Sequence, residues 1–569
     1  MTLRTTARRS SALRLLTATA VVAGLAVVAP AGAAPVSNDA TWTEAWIPSG
    51  DGTMLHADVM LPKERKDGQK HPMILSIGPY FGSGSQGAPS YDPTGEGPSD
   101  RFDDLIEQGQ IFQKGYGLIY VDSRGYGSSG GCNDLGGPGE QMDTKAAVEW
   151  AAKQPFSTGK VGMWGKSYDA WTQVMALSQK PKGLAATVIQ SPLIDGYRLA
   201  FENGVHWSAT WYATPSLYTD YDLTPPTLND SPEEFTQALT GTATHPKCYA
   251  DNTGETVNPD PTTAYWKARN IIKAAGESKV ATLWSFGFND VNTKPTNIFP
   301  VYSALKGPKR AWFGQWDHVR GNEDQLVGRE GFMAEAMNWL DHYLKGKPLN
   351  KKLPAVEMQD GDGAWRSEKA WPPKDAVMRK FPLLPGSYTD TPAEPAGTSS
   401  PAANRAGAPR GGTWTVSQPA PHDTRIAGLM KFDGRVGVQN PAGGNLVALV
   451  FDVAPDGSSR LITRGASAVS NANEGVVSFV TWPQDWLLPK GHRIAVQVSS
   501  DDATVYSPTH QPGTITLDQA TLSIPILTGK RRSDLEGDNA SAASRNPTPT
   551  LTTQLEGRSA KADFGPKAK

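Results

Sequence analysis

Three residue types that together cleave acyl bonds stand in this chain in a workable order. They are a serine in "VGMWGKSYDAW" (Ser167), an aspartate closing "TLWSFGFND" (Asp290) and a histidine closing "AWFGQWDH" (His318). A serine hydroxyl is a weak nucleophile until a base takes its proton, and the base needs an acid to hold its tautomer. Chain order Ser, Asp, His suits delivery from successive strand ends of one α/β sheet. Gly165-Lys166-Ser167 could also end a phosphate-binding loop. That loop requires a glycine five residues before Gly165, where Lys160 stands, and the strand-like "VGMW" fills the space it would need. What remains is a tight strand-to-helix turn with Ser167 at its apex, although Asp169 occupies the place of the second glycine in G-x-S-x-G. Asp317 competes with Asp290, but as His318's neighbour on one strand it would point the opposite way. The remaining histidines fit less well: His56 and His71 precede the serine, His206 and His245 fall in an insertion, His342 in a helix, and His422, His492 and His510 in a later β region.

Elements must bring these residues together. Apolar runs such as "PMILSIGPY", "YGLIYVDSRG", "AATVIQSP" and "RAWFGQWDH" alternate with helical patterns such as "TKAAVEWAAKQ", which predicts a mainly parallel sheet covered on both faces. This α/β domain takes residues 35–194 and 276–380. Between them, residues 195–275 lose the strand rhythm and carry Trp207, Trp211, Tyr212 and Tyr218. An insertion there sits at the sheet's C-terminal edge, where ligands bind, and predicts a helical cap. Its aromatics supply the cap's own core, and Trp207 and Trp211 can double as substrate contacts. Residues 381–528 open on a Pro/Gly-rich linker from Pro382 to Gly412 and then read as short antiparallel strands of a sandwich, and the polar residues 529–569 are expected to be disordered.

A chain of 569 residues exceeds what one core holds, and 38% apolar with 20% charged residues is ordinary for globular proteins. The net charge of −2 offers no basis for nucleic acid or an anionic membrane as partner. Arg4, Arg8 and Arg9, the apolar run Leu15–Val28 and the small residues Ala31 and Ala33 read as a secretory signal over 1–34, predicting a secreted protein. Export makes a disulfide between the only two cysteines, Cys132 and Cys248, plausible. Without histidines at ligand spacing they make no metal site. Neither metal nor organic cofactor is expected, and the sequence carries no reading of oligomeric state.

The segments "DGTMLHADVMLP", "GPYFGSG", "YVDSRGYGSSGG", "VGMWGKSYDAWTQ", "GFND", "WDH", "WLDHYLKGK" and "AWRSEKAWPP", in this order, cover nearly the whole mature chain. Together they resemble the family of X-Pro dipeptidyl-peptidases, cocaine esterase and α-amino-acid ester hydrolases. The resemblance implies an α/β-hydrolase fold with an inserted helical cap and a C-terminal jelly-roll sandwich. The family's elbow reads G-x-S-Y-x-G, so Asp169 falls at a variable position and the departure is Ala170 in place of glycine. Carried over, it implies Ser167 as nucleophile, His318 as general base and acid, and Asp290 as the orienting residue. Tyr168 N–H and the Tyr80 hydroxyl would form the oxyanion hole. The substrate would be a small ester or short peptide: X-Pro dipeptidyl-peptidase-like, with cocaine-esterase-type acyl esters or α-amino-acid esters as the alternative. A substrate ammonium needs a carboxylate, for which Asp195 and Glu202 are the cap's candidates. The alternative of another class is a non-catalytic exported binding protein that uses its β-sandwich, its elbow decayed at Ala170.

Overall fold

The buried apolar runs assemble into one eleven-stranded sheet in the computed structural model, which describes residues 35–37, 39–81, 98–207, 245–390, 412–439, 443–470, 475–500, 502, 505–506, 513–537, 551 and 553–568. The expected signal segment and Trp211 lie outside the described residues. In chain order the strands are β1 (Pro35–Ser37), β2 (Ala40–Pro48), β3 (Met54–Pro62), β4 (His71–Gly78), β5 (Gly117–Asp122), β6 (Ser157–Lys166), β7 (Leu184–Gln190), a small separate hairpin β8 (Phe201–Glu202) and β9 (Val205–His206), then β10 (Ala281–Gly287), β11 (Lys309–Gly314), β12 (Val356–Gln359) and β13 (Trp365–Glu368). Their order across the sheet is β1-β2-β3-β5-β4-β6-β7-β10-β11-β12-β13. From β5 to β12 every pairing is parallel. β4, β5 and β10 are buried along their whole length, the pattern of strands covered on both faces.

Helices Pro138–Lys153 and Tyr168–Gln179 contribute Ala147, Val148, Ala151 and Ala176 to the core on one face. Helix Phe332–Lys345 presents Ala336, Trp339 and Leu340 to the other. It stops at Gly346, which takes the left-handed conformation (φ 73°) that glycine permits without a Cβ clash. Because β4, β6, β7, β10 and β11 run parallel, their C-terminal ends share one edge. The described cap comprises helices Gly196–Ala200, Pro246–Glu255, Ala264–Arg269 and Ile272–Gly276 with the β8–β9 hairpin. Cys132 of the main domain and Cys248 of the cap are disulfide-bonded.

In the sandwich, the long strand Gly513–Leu527 pairs with Lys431–Val438, Ala376–Leu383, Gly386–Asp390 and Thr424–Gly428. A second sheet contains Ser459–Val469, Gly444–Val453, Arg493–Ser499 and Thr413–Ser417. The sandwich therefore begins at Ala376 rather than at 381, and the expected linker opens with a strand. Backbone pairing to Gly513–Leu527 holds both segments, so neither needed a strongly apolar pattern. For the described residues of 529–569 the expectation of disorder is also corrected. Ser559–Ala560 adds to Thr413–Ser417 in parallel, and Leu551, Ala562 and Phe564 are buried. Few apolar residues suffice there because Ala562 and Phe564, two apart in extended chain, reach one face. No helix among the described residues is long and apolar enough to cross a membrane.

Candidate active site

Ser167 stands between β6 and helix Tyr168–Gln179 at φ 66° and ψ −122°, a conformation an L-residue keeps only when its surroundings enforce it. Its N–H donates to Gln190 O at 3.0 Å, and its carbonyl accepts from Ala170 and Trp171 N–H, each at 3.0 Å. Strand and helix meet so closely that a Cβ on Gly165 would lie 2.5 Å from Asp169 O. Gly78, at the end of β4, faces the Asp169 side chain, and a Cβ there would lie 1.7 Å from its Oδ1. The elbow thus needs glycine at 165 and tolerates a fully buried aspartate at 169, which pairs with Arg101. Burial nevertheless pushes the Asp169 carboxyl up to about 6, Arg101 limiting the rise. Ala170 is buried and helical. Its methyl leaves the turn intact, so the decay of the elbow on which the non-catalytic reading depended is absent.

Asp290 lies three residues beyond β10 and His318 four beyond β11, in the loops that leave the same edge. His318 Nδ1 is 2.8 Å from Asp290 Oδ2. Asp290 is fully buried and accepts from Asn292 N–H at 2.8 Å, Thr293 N–H at 2.9 Å and Thr293 Oγ1 at 2.9 Å. Burial alone would raise its pKa, but the neighbouring imidazole and these donors prevail and hold it below the usual carboxylate range. An ionised Asp290 can only accept, so Nδ1 carries the proton and Nε2 is left as the basic nitrogen. Asp317 is engaged elsewhere, Oδ1 accepting His318 N–H at 2.8 Å and Val291 N–H at 3.2 Å. Ser167 Oγ and His318 share no hydrogen bond among the described residues, a looseness common before substrate tightens a site. The arrangement sets a histidine of fixed tautomer at the sheet edge where Ser167 stands.

Tyr80 lies two residues past β4, half-buried, with the Arg101 guanidinium 3.8 Å from its ring centre. Tyr168 is the first residue of the helix after Ser167, its side chain fully buried. The weaker substrate candidates fare differently. Glu202 is buried, its Oε2 accepting from Trp482 Nε1 at 3.1 Å and Tyr506 OH at 2.9 Å, both from the sandwich. Trp207 is buried, stacked on Trp482 with ring centres 6.3 Å apart and with Lys294 Nζ 4.2 Å from its own. Asp195 caps helix Gly196–Ala200 by accepting Tyr197 and Arg198 N–H. Glu202 and Trp207, expected to touch substrate, both join the cap base to the sandwich, because the β8–β9 hairpin packs on that domain.

Two positioning groups escaped the sequence reading. Gln190 accepts Ser167 N–H through its carbonyl and Gly321 N–H through Oε1 at 2.8 Å, tying the elbow to the His318 loop. A polar residue closing the apolar run "AATVIQ" was the available signal. Arg101, which joins Asp169 to Tyr80, carries none, since its partners are remote in sequence.

Comparison with known proteins gives two consecutive family matches: X-Pro dipeptidyl-peptidase (S15 family) over residues 51–320, and the X-Pro dipeptidyl-peptidase C-terminal non-catalytic domain over 349–542. A candidate Xaa-Pro dipeptidyl-peptidase of Streptomyces avermitilis is 24% identical over 92% of this chain and 91% of its own. The Xaa-Pro dipeptidyl-peptidase of Ligilactobacillus salivarius is 26% identical over 47% of this chain and 35% of its own. Among solved structures, an α-amino acid ester hydrolase superimposes with TM-score 0.67 at 20% identity, covering 89% of this chain and 100% of that one. A CocE/NonD family hydrolase from Staphylococcus aureus gives TM-score 0.62 at 16% identity, covering 85% and 94%. These structural likenesses speak for the α/β-hydrolase fold. By its two matched domains, the chain belongs to the X-Pro dipeptidyl-peptidase (S15) family of serine hydrolases.

Proposed function

We propose that this hydrolase is exported and opens an ester or amide bond through an acyl-enzyme on Ser167, with X-Pro dipeptidyl-peptidase-like specificity. The observation that carries the reading is the His318–Asp290 hydrogen bond at the sheet edge where the strained Ser167 stands. Ser167 Oγ attacks the scissile carbonyl while its proton passes to His318 Nε2, and the imidazolium is stabilised by Asp290. The oxyanion takes hydrogen bonds from Tyr168 N–H and the Tyr80 hydroxyl. His318 then returns the proton to the departing amine or alcohol, and later deprotonates the water that frees the acid. The residues 1–34 and the Cys132–Cys248 bond support export, since disulfides persist in oxidising compartments.

A second reading, acyl esterase, is favoured by Glu202 and Asp195. Asp195 already caps helix Gly196–Ala200, and Glu202 Oε2 already accepts from Trp482 and Tyr506, which ties both carboxylates into the protein's own framework. Hydrolysis of Ala-Pro-nitroanilide, amino-acid esters and short acyl esters separates the two, and turnover of only the last selects the esterase. A fluorophosphonate probe tests the chemistry itself: labelling is expected on the wild type and absent from Ser167→Ala, and labelling that survives the substitution would falsify the assignment.

A further inference from the structure

The strain at Ser167 must be held by its neighbours, and on the helix side the neighbour is Tyr168. Its hydroxyl donates to the Glu140 carboxyl, 2.8 Å from both oxygens, and accepts from Asn133 Nδ2 at 3.0 Å. Glu140 is itself buried and accepts Gly136 N–H at 2.6 Å. Asn133 follows Cys132, which is bonded to Cys248 on the cap helix Pro246–Glu255. From the same helix, Asn252 Nδ2 donates to Asn133 O at 2.8 Å. Further along the cap, Arg269 donates to Asp134 O at 2.5 Å and Leu135 O at 3.2 Å, and Ala268 O accepts Gln141 Nε2 at 2.9 Å. Segment 132–141 is thus stitched to the cap on one side and grips Tyr168 on the other.

We propose that the Cys132–Cys248 disulfide and the Asn133–Tyr168–Glu140 hydrogen-bonded chain position the oxyanion-hole N–H of Tyr168, so that full turnover requires the closed disulfide. The proposal rests on the reading of Tyr168 N–H as an oxyanion donor. Asn133 and Glu140 are positioning residues, acting through the phenol that anchors the residue after the nucleophile. Removing an oxyanion donor outright costs ~10²- to 10³-fold in kcat, so a donor displaced by loss of its anchor forfeits part of that. The covalent step is a two-electron exchange. A dithiol reductant breaks the S–S bond, delivers two electrons and two protons to yield the Cys132 and Cys248 thiols, and leaves as its own cyclic disulfide. A disulfide oxidant in the receiving compartment reverses it.

The test compares steady-state hydrolysis of a 4-nitrophenyl acyl ester by the full chain, oxidised and after dithiothreitol, with Cys132→Ser/Cys248→Ser and with Tyr168→Phe. Reduced wild type and the paired serine variant are expected to lose about tenfold in kcat with KM held within about twofold, a partial loss of the oxyanion contribution. Dithiothreitol should not change the paired variant further. Tyr168→Phe keeps the disulfide and the ring, so it tests the chain even where the serine pair folds poorly, and about a fivefold loss in kcat is expected by the same argument. Wild-type kcat in either the reduced enzyme or Tyr168→Phe overturns the proposal, as does a loss expressed only in KM. An oxidised wild type that neither turns over nor takes a fluorophosphonate sinks the hydrolase mechanism instead.

Discussion

Two histidine–aspartate pairs occupy the two halves of the molecule with nearly the same geometry. His318 Nδ1 meets Asp290 at 2.8 Å in the α/β domain, and His492 Nδ1 meets Asp452 at 2.7 Å in the sandwich. Each aspartate is buried and further hydrogen-bonded, Asp452 by Trp486 Nε1 at 3.0 Å. What separates them is the company they keep. The described serines with positive φ, Ser167 and Ser191, both lie at the α/β sheet edge, and none lies in the sandwich. A third histidine, His56, has Asp122 at 3.0 Å on one nitrogen and Glu44 at 3.2 Å on the other. Burial opposes its charge, but the two carboxylates prevail and raise its pKa well above the usual value, leaving no lone pair for a base. A histidine–carboxylate pair therefore carries no chemistry alone; a free ring nitrogen and a presented nucleophile make the difference.

The sharpest way to break this comparison is to exchange the two aspartates for asparagine. Asp290→Asn should lower kcat by ~10⁴-fold, because the wrong imidazole tautomer is then favoured. Asp452→Asn should leave kcat within about twofold and cost only ~1 to 3 kcal/mol of stability in urea unfolding, the usual price of a disturbed buried hydrogen bond. A large loss of turnover from Asp452→Asn would show that the sandwich pair serves catalysis.

A smaller effect is expected from two tyrosine hydroxyls. Tyr80→Phe should reduce kcat by ~10²- to 10³-fold with little change in KM, as for loss of an oxyanion donor. Tyr388→Phe removes a sandwich hydroxyl that donates to Asn445 O at 2.9 Å and should leave turnover unchanged. Equal effects from the two would place the oxyanion donor elsewhere.

The smallest expected effect concerns pH. Burial pushes Glu140 up to about 8, and Asp58 and Glu335 each up to about 7, all in the α/β half. Above pH ~4.5 the unfolded chain releases these protons while the folded one keeps them, so stability falls as pH rises towards 8. His56, with its raised pKa, acts in the same direction, its contribution lost as pH rises through the folded value. Glu140→Gln should flatten part of the slope between pH 5 and pH 8 in chemical denaturation. An unchanged slope would mean that Glu140 titrates normally in the folded protein.

Much of the site was legible because strand ends are legible. Apolar runs ending in Gly-Lys-Ser, Asn-Asp and Asp-His mark where a parallel sheet delivers its residues, and the order of segments did the rest. Gln190, Arg101 and Glu140 were not legible, since each acts on a partner that only folding brings near. The setting of Glu202 was not legible for a related reason: an acid on a predicted cap surface shows no partner in sequence, whereas in the fold the sandwich closes over it with Trp482 and Tyr506. The described end of the tail was misread because disorder was inferred from its polar average, whereas two apolar residues spaced for one face, Ala562 and Phe564, were enough to dock it.

The sequence by itself determined the strand-to-helix turn at Ser167, the chain order Ser167, Asp290, His318, the parallel sheet and the two cysteines available for one bond. These follow from local pattern, because strand periodicity and turn sterics act over a few residues. Only the tertiary structure decided which aspartate meets which histidine, that Ala170 leaves the turn intact, and that Asp169 is held by Arg101. It also decided that the cap is tied through Cys248 and Asn133 to the residue after the nucleophile. Those outcomes depend on distances between segments remote in sequence, which hydrophobic packing sets and no local pattern encodes.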